Sequence, residues 1–146
     1  MPSRVLAGRR RVLGAEHPDT LSTLTSLGQL RLQERKYTEA EATLRETLTA
    51  YEKARPDMWE RYGCQSLLGA SLASQKKFAE AEPMLVTGYE GMAQRAATMA
   101  AADRSNLKDA GERIVELYRD WGKPEKVAEW QRRLEGANLA GAPQRP

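Results

Sequence analysis

Apolar residues recur at helical spacing through most of this chain. Tyr37, Ala40, Leu44, Leu48 and Tyr51 stand 3, 4, 4 and 3 residues apart, which places them on one face of a helix. Leu24, Leu27 and Gly28, with Leu21 and Leu32 near them, predict an earlier helix from about Leu21 to Glu34, with a turn at Arg35-Lys36 between the two. A second pair follows. Trp59, Tyr62, Leu67, Leu68 and Leu72 mark its first helix, and Phe78, Ala81, Leu85, Tyr89 and Met92 mark its second, which reaches about Ala97. Pro83 inside that helix removes one backbone bond and predicts a slight kink. A linker is expected at about Met99 to Asp103. Leu107, Ala110, Ile114, Leu117, Tyr118 and Trp121 then form a stripe, and Val127, Trp130 and Leu134 a last, short one. Pro124, after Gly122-Lys123, suits a first helical position. Ahead of all this, Val5, Leu6, Val12 and Leu13 predict one helix over 4–13. Gly14 suits its end, and Asp19 or Thr20 suits the N-cap of the next helix. Pro56 disfavours helix at Arg55 and closes the helix of Tyr51.

The pattern repeats in detail. Gln33-Glu34-Arg35-Lys36-Tyr37-Thr38-Glu39-Ala40-Glu41 recurs as Ser74-Gln75-Lys76-Lys77-Phe78-Ala79-Glu80-Ala81-Glu82, with Tyr37 and Phe78 41 residues apart. Carried outward, Leu27-Gly28 falls on Leu68-Gly69 and Leu44 on Leu85. A fixed period of this size marks a helical-repeat solenoid. The chain divides into a partial repeat over 1–14 (a second helix only), repeats over 15–55 and 56–98, a degenerate terminal repeat over 99–135, and a small, polar, proline-containing tail over 136–146 expected to be disordered. Val5, Leu6, Val12 and Leu13 are expected to form a sticky edge that an upstream domain, a second copy or a partner covers.

Leu24-x-x-Leu27-Gly28 followed by Tyr37-x-x-Ala40-x-x-x-Leu44 resembles the tetratricopeptide repeat. Leu13-Gly14-Ala15-Glu16-His17-Pro18-Asp19-Thr20-Leu21 resembles the long inter-repeat loop of the kinesin-light-chain subtype. HEAT and armadillo repeats do not predict these signatures. The resemblance implies an all-α, right-handed superhelix of antiparallel helix pairs, whose concave face is lined by the first helix of each pair and binds protein or peptide. Arg55-Pro56-Asp57-Met58-Trp59, Ser66-Leu67-Leu68-Gly69, Glu80-Ala81-Glu82-Pro83-Met84-Leu85, Gly88-Tyr89-Glu90-Gly91-Met92 and Leu117-Tyr118-Arg119-Asp120-Trp121-Gly122-Lys123 resemble the C-terminal repeats of certain bacterial serine/threonine protein kinases. That resemblance implies an attached or upstream kinase domain, whose motifs this chain lacks.

By register, the concave face is expected to present Ser22, Thr25, Ser26, Gln29 and Gln33 from the first repeat. The second would add Ser66, Leu67, Ala70, Ala73 and Ser74, and the third Glu112, Arg113, Glu116, Arg119 and Asp120. Thr25 and Ser26 stand where the kinesin-light-chain pattern has backbone-holding asparagines. Small residues here also serve helix contact alone. The function read from all this is a non-catalytic interaction scaffold. The alternatives are a regulatory arm of a kinase signalling system, or weak nucleic-acid binding through Arg4 and Arg9-Arg10-Arg11.

Composition narrows the chemistry. The net charge of +3 is too small to argue for nucleic acid, and aromatic interleaving for base stacking is absent. One cysteine, Cys64, permits no intramolecular disulfide. That fits a reducing compartment, and the chain reads as cytoplasmic, with no bilayer-spanning run or secretory signal. His17, the only histidine, cannot build a metal site alone and is read as a structural residue that caps or packs its loop. Cys64 is read as a small packing residue. Glu39, Glu41, Glu80 and Glu82 suit the positive end of helix dipoles. Trp59, Trp121 and Trp130 are read as core or capping anchors. No cofactor, metal or catalytic residue is expected.

Overall fold

The computed structural model describes residue 14 and residues 16–141. The expected helix over 4–13, with its sticky edge and basic run, lies outside the described residues. Six α-helices follow in order: α1 (Pro18–Gln33), α2 (Tyr37–Ala54), α3 (Trp59–Ser74), α4 (Phe78–Gln94), α5 (Ser105–Asp120) and α6 (Pro124–Gly141). Each packs against the next. In addition α1 touches α3 and α3 touches α5, so the first helices of the three pairs form one continuous surface.

The start of α1 corrects the sequence reading. The cap is His17, not Asp19 or Thr20: the Asp19 N–H donates to His17 Nδ1 at 3.1 Å, and Pro18 opens the helix. Proline at the first turn gives up a bond that no helix start can make. Thr20 is fully buried instead. The sole histidine therefore has the capping role expected of it.

Each pair turns on the same device. After α1, the Lys36 N–H donates to Arg31 O at 2.8 Å and the Arg35 N–H to Leu32 O at 3.0 Å. After α3, Lys77 donates to Leu72 O and Lys76 to Ala73 O, both at 2.9 Å. After α5, Lys123 donates to Tyr118 O and Gly122 to Arg119 O. These paired bonds satisfy orphan helix carbonyls as a Schellman motif does, and the motif requires a left-handed residue. That residue is Arg35 (φ 63°), Lys76 (φ 63°) and Gly122 (φ 73°). Only the third repeat places glycine there.

The 41-residue echo has a steric cause. A Cβ added at Gly28 would lie 2.6 Å from Leu44 Cδ2, and one at Gly69 would lie 2.6 Å from Leu85 Cγ. Both leucines are fully buried, as are Ala40 and Ala81. Each repeat thus seats a leucine of its second helix into a glycine notch of its first. In the third pair the notch is Gly111, where a Cβ would meet Leu134 Cδ2 at 2.7 Å. The α3–α4 crossing is closer still: a Cβ at Gly88 would lie 3.0 Å from the backbone of Ser66 and Tyr62.

Glutamates clip one pair to the next. Glu41 on α2 accepts from Arg45 Nε and from Gln75 Nε2 at the end of α3, both at 2.8 Å, with Lys77 Nζ at 3.5 Å. These bonds, from Arg45 and then Gln75, hold its carboxyl below the ordinary value. Forty-one residues on, Glu82 accepts from the Tyr118 hydroxyl on α5 at 2.7 Å. Glu39 and Glu80 do occupy first helical turns, as the dipole argument has it; Glu41 and Glu82 lie beyond that turn and join repeats. Trp121 stacks between Phe78 (5.7 Å) and Tyr118 (6.4 Å), with Lys123 Nζ 4.0 Å above it. Trp130 is buried edge-on to Tyr89.

Two segments depart from expectation. The stretch 99–103 is more than a linker: Met99 is buried with Met92 and Ala110 in a second core cluster, flanked by 3-10 turns at Ala96–Thr98 and Ala101–Asp103. The last helix runs to Gly141, past the expected tail start at 136. Ala137, Leu139 and Ala140 are strong helix formers that carry it on. Residues 142–146 lie outside the described residues.

Candidate interaction groove

Two hollows lie on the surface formed by α1, α3 and α5. The first, of about 300 Å³, is lined by Ser22, Thr25, Ser26 and Gln29 of α1, by Trp59, Glu60, Gly63, Cys64 and Leu67 of α3, and by Asp103, Asn106 and Arg113. Tyr51 and Met92 close it from the second helices. The second hollow, about 410 Å³, has Ala70, Ala73 and Ser74 of α3 on one side and Asp109, Glu112, Glu116, Leu117 and Asp120 of α5 on the other, with Leu85 at its base. Arg113 borders both, so the two hollows adjoin along the face formed by the first helices of the three pairs.

The helix faces explain this lining. Glu60, Gly63, Cys64 and Leu67 stand at i, i+3, i+4 and i+7 on α3. Asn106, Asp109, Arg113, Glu116 and Asp120 stand 3, 4, 3 and 4 apart on α5. Each set is one stripe of its helix. Small side chains along α3 leave the space between the flanking helices open.

Most groove residues expected from register line the hollows, with three exceptions. Ser66 is fully buried rather than presented: it faces α4, where Gly88 lets the helices close, and its Oγ accepts from Arg113 Nη1 at 3.1 Å. Gln33 is exposed but borders neither hollow. Arg119 turns to a third, more open hollow between α5 and α6, where its Nη1 donates to Glu116 Oε1 at 2.9 Å. The register reading missed Glu60, Asp103, Asn106 and Asp109. Asn106 and Asp109 share the stripe of Arg113 and Glu116, and that periodicity was the available signal. Asp103 comes from the turn segment, for which periodicity says nothing.

The electrostatics are uneven. Burial pushes the Glu60 carboxyl up, and nearby Asp103 adds to this. Burial draws the Arg113 guanidinium down, while Asp109 and Glu112 oppose that. Cys64 is fully buried, and burial pushes its thiol up to about 12. At that value almost no thiolate forms near neutral pH, so Cys64 is unsuited to nucleophilic attack. Its Sγ lies 3.6 Å from Leu44 O. Burial likewise pushes Tyr51 up to about 12. The groove has the makings of a binding surface: a small apolar floor, hydroxyl and amide groups in the first hollow, and carboxylates in both.

A tetratricopeptide-repeat family model matches residues 3–53. Among solved structures, the chain resembles a Podosopora anserina protein described as a kinesin light chain with nearly identical TPR-like repeats, with a TM-score of 0.67 at 16% identity. The match covers 95% of this chain and 64% of that one. The chain thus spans a little under two thirds of that relative's length, and the likeness at this identity is one of fold. No curated protein matches.

Proposed function

We propose that the chain is a non-catalytic scaffold of the tetratricopeptide-repeat kind, supported by the family match over residues 3–53 and the likeness of fold, and that it holds a segment of a partner protein along the α1–α3–α5 groove. The observation that carries this reading is the succession of hollows on one face: two, sharing Arg113 as a wall and lined by Leu67, Ala70 and Ala73, adjoin along the first helices of the three pairs. An extended segment fits such a trough better than a compact small molecule does. Solenoids of stacked repeats use surfaces of this kind for recognition. Among the described residues, no helix is long and apolar enough to cross a membrane.

The test is affinity capture with the chain and two variants. Ala70→Trp fills the groove floor, and Thr49→Trp adds the same bulk to the exposed face of α2. Partners retained by Thr49→Trp and lost by Ala70→Trp, with both variants matching the parent in helical circular dichroism, support the groove. Equal retention refutes it.

A second reading makes this scaffold the regulatory arm of a bacterial serine/threonine kinase system, on the strength of the segments from Arg55 to Lys123 that resemble such repeats. Specific co-purification with a kinase domain tests it, and loss of that association in Ala70→Trp assigns it to the groove. Nucleic-acid binding through Arg4 and Arg9-Arg10-Arg11 is the weakest reading, because the net charge of +3 is small and no aromatic residues for base stacking are interleaved with those arginines.

A further inference from the structure

We infer that the segment held by the groove is basic: an extended, Lys/Arg-rich stretch of a partner protein. This rests on the groove reading above and adds the chemistry of the occupant.

The argument begins with where the carboxylates find cations. On the outer faces most are paired, Glu39, Glu125 and Glu135 being exceptions. Glu41 meets Arg45 and Lys77, Glu52 meets Arg61, and Glu90 meets Arg133, at 2.8–3.5 Å. Asp57 and Glu129 lie 3.7 Å and 3.4 Å from Arg95 and Lys126. In the groove the pattern reverses. Glu60, Asp103, Asp109, Glu112, Glu116 and Asp120 line its two hollows. Among the described residues, only Glu116 has an ion-pair partner, Arg119. This acidic strip is a local arrangement on the surface that the first helices of the three pairs share. The raised Glu60 carboxyl fits the same picture, for a cation beside it would favour its charge.

Arg113 does not reverse the sign. Its guanidinium lies largely buried between the hollows, gives one N–H to Ser66, and has Asp109 and Glu112 nearby on its own helix. It is placed to donate to backbone carbonyls of a bound segment, the task for which Thr25 and Ser26 lack side-chain amides. The carboxylates along α5 then face that segment's cationic side chains. An acidic segment would meet one screened guanidinium and several unpaired carboxylates.

The experiment uses fluorescence anisotropy with three labelled twelve-residue probes: alternating Lys/Ala, alternating Glu/Ala, and Ser/Ala. The variants are the full chain, Asp109→Asn/Glu112→Gln/Asp120→Asn, the distant control Glu39→Gln/Glu125→Gln, and Ala70→Trp. The Lys/Ala probe is expected to bind, to weaken steeply with salt, and to lose about tenfold or more in affinity in the triple groove variant. The control should keep parental affinity. Carboxamides preserve shape, and matched circular dichroism and melting exclude misfolding as the cause of the loss. Preference for the Glu/Ala probe, lost in Ala70→Trp, overturns the charge assignment and leaves the groove standing. Lys/Ala binding that survives both the triple variant and Ala70→Trp overturns the site. Absence of binding by all three probes also overturns the inference, while groove-dependent partner capture would still support the scaffold reading. Self-association abolished by the triple variant would assign the groove to the chain's own Arg9-Arg10-Arg11 and overturn the partner assignment.

Discussion

Two alanine substitutions in one helix should move stability in opposite directions. Helical Gly→Ala ordinarily stabilises by roughly 0.8–1.0 kcal/mol through backbone entropy and propensity. At Gly63 the new methyl would find Trp59 Cζ3 at 3.6 Å and Met92 Sδ at 4.0 Å, which are ordinary contacts. Gly63→Ala should therefore gain up to about 1 kcal/mol. At Gly69, six residues along α3, the same methyl would lie 2.6 Å from Leu85 Cγ and 3.1 Å from the Leu85 backbone N. Leu85 is fully buried, so neither its side chain nor the α4 backbone can retreat without disturbing the core. Overpacking of this kind costs about 1–3 kcal/mol. Contact with Cγ and backbone, and not with a terminal methyl alone, puts the cost toward the upper end. The net loss should be about 1–2 kcal/mol after the propensity gain. The variants then differ by about 2–3 kcal/mol, which separates their melting midpoints by several degrees. Urea titration followed at 222 nm measures both against the parent. Trimming Leu85→Ala in the Gly69→Ala background should cost less than the two single changes added together, because the added methyl enters the cavity. A Gly69→Ala variant as stable as Gly63→Ala would refute the glycine notch, and with it the explanation of the 41-residue echo.

Three further outcomes follow from other parts of the fold. Ala81→Leu, at a fully buried helix crossing, should destabilise by about 1–3 kcal/mol, read as a lowered midpoint in the same titration. Gly122→Ala should cost about 1 kcal/mol, because a Cβ is unfavourable at φ 73°, whereas Lys76→Gly at φ 63° should be neutral or stabilising by thermal melting. Glu60→Gln should stabilise at neutral pH. Its carboxyl is raised in the fold, so stability falls as pH rises from the ordinary value of 4.5 through the folded value, and stays lower above it. The gain from Glu60→Gln should therefore vanish in acid, and an equal gain at pH 3 and pH 7 would contradict the assignment.

The helices and their pairing were legible because periodicity and burial express the same constraint. Leu44 and Leu85 each align with a glycine and an alanine at a fixed offset, and only stacked pairs require that. Less legible was whatever depends on a third element. Ser66 lies on a stripe that register assigns to the groove, yet α4 covers it because Gly88 permits a closer crossing than average helix geometry suggests. Asp103 and Met99 come from irregular backbone, where spacing carries no face information. The His17 cap was legible as a role but not as a hydrogen bond, since Asp19 and Thr20 have the commoner capping side chains. Glu41 and Glu82 were read from their own helices, while their partners, Gln75 and Tyr118, lie 34 and 36 residues on.

Photo-crosslinking tests the central claim most directly. A benzophenone amino acid placed at Ala73, on the groove floor, should crosslink a partner polypeptide in cell extract, and an excess of the Lys/Ala probe should suppress that product. The same group at Thr49, on the outer face of α2, should give no partner adduct. Crosslinks from position 49 and none from position 73 would contradict the groove as the functional surface of this chain.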